Sequence, residues 1–454
     1  MSAIESAAQA NAPLAGIRVV EVATFVAAPA AGALLAELGA EVIKMEVPAG
    51  ELLRHTRPRH NGFGSDFAGS PQFEMENRGK QSLTLDLTNP AAREALLKVI
   101  DGADVVLTNM LPGRCRRFGI DPESLREKRP ELIYASLTGY GNRGDEADSP
   151  SFDYAALWAR TGMMDLTRDP AAPPAFLRPG VGDHSAALSL VCGVLAALRV
   201  RDAGGGGQVI DVSLLQTGLY LQGNDLSQTL ATGSPAPMHD RAAPRNPLWN
   251  HYATKDGRWV MLVMIESGRY WGAFARAIGR PELEADPRFV GPVERYRENR
   301  ALVEILDAVF AAHTLAQWEE KLAGHSVIWA PVRRLEETRE DPQVEANGYF
   351  RTVDHPELGA FETVGPPLFM SGHPMASNAP APGLGADSSS VLRAAGLSEG
   401  EIDAALVSIQ SRHEQFAGHF TSLKHELEMA FETLQGDLKR TDGGEVVGPP
   451  EGDG

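Results

Sequence analysis

The chain has 454 residues, 43% of them hydrophobic and 22% charged, with a formal net charge of −18. That length allows two or three domains around a large core, and the composition is that of an ordinary globular protein. So acidic a chain is unsuited to hold nucleic acid or an anionic membrane by bulk charge, although a local basic pocket can still take an anion.

Ile17-Arg-Val-Val-Glu-Val-Ala23 alternates as a strand, Ala30 to Leu38 reads as a helix closed by Gly39, and Glu41-Val-Ile-Lys-Met-Glu46 is a second strand. A strand-helix-strand unit of about 30 residues implies parallel strands and a right-handed crossover. Gln81 to Leu87 is a further strand, Asn89-Pro90 opens a helix to Ile100, and Ala103–Thr108 and Leu132–Leu137 are strands flanking another helical stretch. This alternation predicts an α/β fold with a Rossmann-like parallel sheet wound on both faces. Gln208 to Leu214 is strand-like, and the composition shifts between Gly233 and Asn250, where a boundary is placed. A smaller α+β unit follows, with a hairpin turning at Lys255-Asp-Gly257 and helices over Tyr270–Ile278 and Arg300–Ala312. The expected organisation is a large domain in 13–235, a small domain in 246–340, a return to the large domain in 341–400, a helix in 401–440 and an acidic disordered tail in 441–454. From Ile402 to Leu434 apolar or near-apolar positions step alternately by four and three, a heptad seam that suits either packing on the chain's own domain or pairing with a second copy.

Cys115 and Cys192 lack metal-type spacing, so neither a disulfide framework nor a metal site is expected. Met1 to Pro13 has no signal-peptide pattern, and the longest apolar run, Ala186 to Leu198, is too short to span a bilayer; a cytoplasmic protein is expected.

The feature that points to chemistry is Gly180-Val-Gly-Asp-His184, a carboxylate at the mouth of that apolar run. Asp183 reads either as a helix N-cap or as a nucleophilic carboxylate, and the two are compatible. Arg54, Arg57, Arg78, Lys80, Arg114, Arg116 and Arg117 form either a solvated face or a polyphosphate site at the end of an α/β sheet. The glycine run Gly204–Gly207 sits between a helix and a strand, the wrong side for a phosphate loop. The first strand-helix turn has Ala27, Ala28, Pro29 and Ala30 in place of Gly-x-Gly-x-x-Gly, which argues against a dinucleotide cofactor.

Taken together, Pro13-Leu-Ala-Gly-Ile-Arg-Val-Val-Glu-Val22, Ala28-Pro29, Leu38-Gly-Ala-Glu-Val-Ile-Lys-Met-Glu46, Asn77-Arg-Gly-Lys-Gln-Ser-Leu-Thr-Leu-Asp-Leu87, Asn109-Met-Leu-Pro-Gly113, Ala135-Ser-Leu-Thr-Gly-Tyr-Gly141 and Gly182-Asp183 resemble the class III CoA-transferases, relatives of formyl-CoA transferase, carnitine CoA-transferase and α-methylacyl-CoA racemase. The resemblance runs from about Pro13 to about Ile402. It implies a large domain built from both chain ends, a small domain between, and an interlocked homodimer. It implies Asp183 as the nucleophile, with aspartyl anhydride and aspartyl-CoA thioester intermediates, and coenzyme A or acyl-CoA as substrate with no permanently bound cofactor. The partners it implies are an acyl-CoA, a carboxylic acid and a second copy, without nucleic acid or membrane. CoA contacts carried over by motif are Val26, Ala27, Asn109, Met110 and Arg117, with Arg78, Lys80 and Tyr140 also matching.

Three departures matter. Phe152-Asp153 stands where the racemases carry a His-Asp pair, which counts against an acyl-CoA racemase. Arg245-Asn-Pro-Leu-Trp-Asn250 lacks the glycine loop of formyl-CoA transferase, so a different acceptor is expected, and the family does not explain the chain beyond Ile402. A non-catalytic CoA-binding protein is the reading from another class. Phe152, Trp158, Trp249 and Tyr252 are candidates for an apolar or aromatic acyl pocket.

Overall fold

The structure, a computed structural model, describes residues 12–373, 375 and 379–407. Residues 399–407 are helical; the rest of the expected heptad helix and the acidic tail lie outside the described residues. The chain divides into two compact units, one holding the chain up to Pro150, Asp183–Ser213 and the chain from Thr352 on, the other Ser151–Gly182 and Leu214–Arg351.

The first unit is built on a six-stranded parallel sheet of β1 (Arg18–Val22), β2 (Glu41–Glu46), β3 (Gln81–Thr84), β4 (Val105–Thr108), β5 (Ile133–Thr138) and β6 (Val209–Ser213), in the order β3-β2-β1-β4-β5-β6. Every residue of β4 and β5 is buried, as expected of strands covered on both faces. The covering helices include α1 (Ala27–Glu37), α2 (Pro71–Asn77), α3 (Pro90–Asp101), α4 (Pro112–Phe118) and α5 (Val181–Val200). Asn89 caps α3 by accepting the Ala91 N–H at 3.0 Å, and Leu96, Val99 and Ile100 carry its apolar face into a core shared with Ile43, Leu83 and Val106. Because β1 pairs with β2 on one side and β4 on the other, the winding reverses beside β1, and in open α/β sheets such a reversal marks the carboxyl ends of the strands as the place for a ligand.

Helix α5 begins at Val181, so Asp183 stands third in its first turn and is not the N-cap residue. The reason is local. Gly180, at φ 81°, turns the chain into the helix, and the carboxylate of Asp153 accepts the Gly182 N–H at 3.1 Å, taking the capping role from another segment. The helical stretch Val181–Gly205 is longer than the apolar run and has the length and mean hydropathy, 1.6, of a bilayer-crossing helix. One of its faces packs on β6: a Cβ at Gly193 would lie 2.7 Å from Ile210.

In the second unit β7 (Trp249–Ala253), β8 (Trp259–Val263) and β9 (Trp329–Pro331) form an antiparallel sheet, with the hairpin turning through Thr254–Arg258 as the Asp-Gly pair predicts. Trp271, Phe274, Phe289, Phe310 and Trp318 fill its core. Tyr252 is fully buried there, stacked on Phe310 at 5.2 Å, and Trp158 is 9% exposed with its indole N–H on the Ala175 carbonyl at 2.8 Å. Both are core residues, which corrects their place among the acyl-pocket candidates; Phe152 and Trp249 are 58% and 50% exposed.

Candidate active site

The chain leaves β1 through Ala23, Thr24 and Phe25 and enters α1 at Ala27. This turn is clamped. The Asn109 side chain, just past β4, accepts the Thr24 N–H at 3.1 Å and donates to the Thr24 carbonyl at 2.8 Å. Thr108 donates to the Val22 carbonyl at 2.8 Å and accepts the Met110 N–H at 3.0 Å. Phe25, at φ 62°, is the one non-glycine residue of positive φ among the described residues. Such a conformation costs on the order of 1–2 kcal/mol and persists only where the surroundings enforce it; here the Phe25 N–H donates to the Glu51 carboxylate.

Glu51 belongs to a buried ion network beneath the turn. Lys44 reaches Glu21 at 3.0 Å, Glu51 at 2.9 Å and the Ala23 carbonyl at 3.1 Å. Lys80 reaches the other Glu21 oxygen at 2.7 Å and donates to Pro29 O, Glu76 O and Asn77 Oδ1 at 2.7–2.9 Å. Burial opposes the Lys44 charge, but Glu21, Glu51 and Glu46 outweigh it and hold its pKa above the ordinary lysine value. Burial prevails at Lys80, where Glu21 compensates in part and Lys44 opposes, and brings it down to about 8. Burial likewise raises Glu51, with Lys44 pulling the other way. Gly32 in α1 is obligatory in this packing, since a Cβ would come within 2.0 Å of the Glu21 carboxylate.

The first turn of α5 is fastened to the same scaffold. His184 Nε2 lies 2.7 Å from Glu76, whose carbonyl accepts from Lys80, and Lys80 in turn holds Pro29 of α1. Asp183 is half-buried beside it.

The sequence-derived site residues therefore separate. Val26, Ala27, Asn109 and Met110 gather at the carboxyl ends of β1 and β4; Val26 packs against Leu53, Phe73 and Ala381. Tyr140 follows β5 and is half-buried, and Arg117 is exposed on α4 with its guanidinium 5.9 Å from the Phe118 ring. Arg78 and Lys80 are buried instead: Arg78 pairs with Glu37 and donates to the Val364 carbonyl at 2.7 Å, and Lys80 is enclosed by its four acceptors. Arg54 is spent on Glu46 at 2.6 Å. The basic set is thus partly internal scaffold, with Arg114, Arg116 and Arg117 left on the surface of α4. Glu21, Lys44 and Glu51 were absent from the sequence reading, although charged residues inside Val-Val-Glu-Val and Val-Ile-Lys-Met carried the signal.

The sequence profile described as CoA-transferase family III matches residues 14–388. The chain is 31% identical to the (R)-2-hydroxy-4-methylpentanoate CoA-transferase of Clostridioides difficile, over 86% of this chain and 97% of that one. It is 31% identical to the cinnamoyl-CoA:phenyllactate CoA-transferase of Clostridium sporogenes, over 86% and 94%. A crystal structure of a CAIB/BAIF family protein from Brucella suis resembles it with a TM-score of 0.74 at 29% identity, covering 85% of this chain and 100% of that one.

Proposed function

The chain belongs to CoA-transferase family III, and from that premise we propose that it moves CoA between carboxylic acids with Asp183 as the nucleophile. The observation that carries this reading is the half-buried carboxylate in the first turn of a 20-residue apolar helix. A helix start favours negative charge by about 0.3–1 kcal/mol, which suits a carboxylate there, and a carboxylate can form a covalent acyl intermediate. Asp183 attacks the thioester carbonyl; the C–S bond breaks, leaving a mixed anhydride and CoA thiolate. The thiolate attacks the aspartyl carbonyl, which releases the donor acid and forms an aspartyl-CoA thioester. The acceptor carboxylate attacks that thioester, and the thiolate returns to the acceptor's carbonyl, restoring Asp183.

The clamped turn supports a CoA-binding role for Val26, Ala27, Asn109 and Met110, with Arg117 and Tyr140 further along the strand ends. Arg78 and Lys80 serve by holding the scaffold. A second copy covers the outer face of α5, where Leu188, Cys192 and Leu195, spaced four and three, stand exposed. The reaction needs no permanently bound cofactor, and the cytoplasm suits it. The acids named for the two bacterial relatives, one branched and one phenylpropanoid, are the first donors and acceptors to assay.

The test is chromatographic: with an acyl-CoA and a second acid, a new thioester forms in step with loss of the first. Thioester loss without a new one, or washout of the α-proton in heavy water, contradicts a transferase. In the same assay Asn109→Ala, which removes two hydrogen bonds from the turn, is expected to raise KM for acyl-CoA about tenfold with kcat little changed.

A further inference from the structure

The segment after β2 is built to hold the strained Phe25. There the chain turns at Gly50, φ 73°, and enters a single helical turn, Leu52–His55. Glu51, between them, is fixed at both its backbone and its side chain. Its N–H donates to Glu46 Oε2 at 3.2 Å, and Glu46 is gripped in turn by Arg54, whose Nε and Nη2 donate to its two oxygens at 2.8 and 2.6 Å. The Glu51 carboxylate accepts the Phe25 N–H and faces Lys44 Nζ at 2.9 Å. Val26 packs on the cluster that Leu53 forms with Phe73 and Ala381. One short segment thus supports both Phe25 and Val26, and Arg54 belongs to that support through Glu46.

A side chain in the left-handed region relaxes to negative φ unless its surroundings forbid it, and glycine is the residue that sits there without strain. The sequence has phenylalanine at this place, so the conformation is imposed by its neighbours. A change of φ at Phe25 redirects the residues that follow it, Val26 and Ala27. Glu51 is 3% exposed and acts on the turn from beneath.

We propose that Glu51 is a positioning residue for CoA binding: it holds Phe25 left-handed and so sets Val26 and Ala27 to take the ligand. The inference rests on the reading of the turn as the CoA site.

The test is a mutant cycle on the full chain, read as KM and kcat for the donor thioester and as CoA affinity by calorimetry. Glu51→Ala is expected to raise KM and weaken CoA binding about tenfold, with kcat within about twofold. Glu51→Gln, which keeps an acceptor for the Phe25 N–H, stays within about threefold. In a Phe25→Gly background, where the left-handed conformation is unstrained, Glu51→Ala loses no more than about twofold relative to Phe25→Gly alone. A purely structural role through Lys44 would give the same loss in both backgrounds. Should Glu51→Ala not fold, Glu51→Asp takes its place with the same expected losses, since it keeps a carboxylate for Lys44 and shortens the reach to Phe25. Equal losses in the two backgrounds, or a loss confined to kcat, overturn the proposal. Asn109→Ala separates it from the reading beneath it. If Asn109→Ala weakens CoA binding and Glu51→Ala does not, Glu51 has no positioning role although the turn holds CoA. If neither does, the turn is not the CoA site and the proposal falls with it.

Discussion

Asp183→Ala is expected to bind CoA with near-wild-type affinity and to lose turnover by on the order of 10⁴-fold or more, the scale on which removal of a covalent nucleophile acts. The two halves of the result have separate structural origins. The residues proposed to hold CoA sit at the ends of β1 and β4, where the turn is shaped by Asn109, Thr108 and Glu51. The hydrogen bonds that shape the turn come from these three side chains. The helix that carries Asp183 is fastened by Asp153 at Gly182 and by His184 at Glu76, so truncation at position 183 leaves both anchors in place. Calorimetric titration with CoA and the chromatographic transfer assay read the halves independently. Turnover within tenfold of wild type would refute the nucleophile assignment.

The second large effect is on stability. Glu21→Gln removes the one carboxylate that faces two buried ammonium groups, Lys44 at 3.0 Å and Lys80 at 2.7 Å, with all three side chains inaccessible to solvent. Breaking a buried pair from one side costs about 3–5 kcal/mol, because the remaining charge is left uncompensated; here Lys80 is the charge left so, while Lys44 keeps Glu51 at 2.9 Å. The loss is expected within that range and is read as a fall in the urea midpoint. The turn should loosen as well, since Lys44 also holds Ala23 and Glu51, and Glu51 holds the strained Phe25. A control is available in the same strand and its neighbour: Arg18 and Glu41 pair at 2.7 Å but are 34% and 42% exposed. Breaking that pair is expected to cost no more than about 1 kcal/mol. Equal midpoints for the two variants would show that the buried network does not carry the turn.

The same glutamate shows what the sequence leaves illegible. Glu21 and Lys44 occupy strand positions where alternation suggests a polar face toward solvent. Both faces of this sheet are covered by helices, so the alternating position is buried and its charge must find partners from β2 and from the loop after α2. Hydrophobic period reports which residues share a face and says nothing about whether that face is wet. For the same reason Arg78 and Lys80 read as ligand contacts while the fold spends them internally. The strands themselves, β2 above all, and the parallel winding were legible, because apolar runs, Gly39 and Asn89-Pro90 act locally. Helix α1 begins three residues before the expected Ala30; Pro29 is tolerated in its first turn, where the missing N–H has no intrahelical partner. As a cap Asp183 was misplaced, since the helix begins at Val181 and the capping acceptor comes from Asp153, thirty residues before it. No local pattern announces such a contact.

The central claim is that the Asp183 carboxylate becomes covalently acylated during the reaction. Mass spectrometry of the protein incubated with a panel of acyl-CoAs, then trapped with hydroxylamine or borohydride, tests it most directly. The account predicts a CoA-dependent modification on the peptide carrying Asp183, at that residue, present with productive donors and lost in Asp183→Ala. Efficient thioester exchange by a protein whose Asp183 stays unmodified under trapping, or a trapped adduct on another residue, would contradict it.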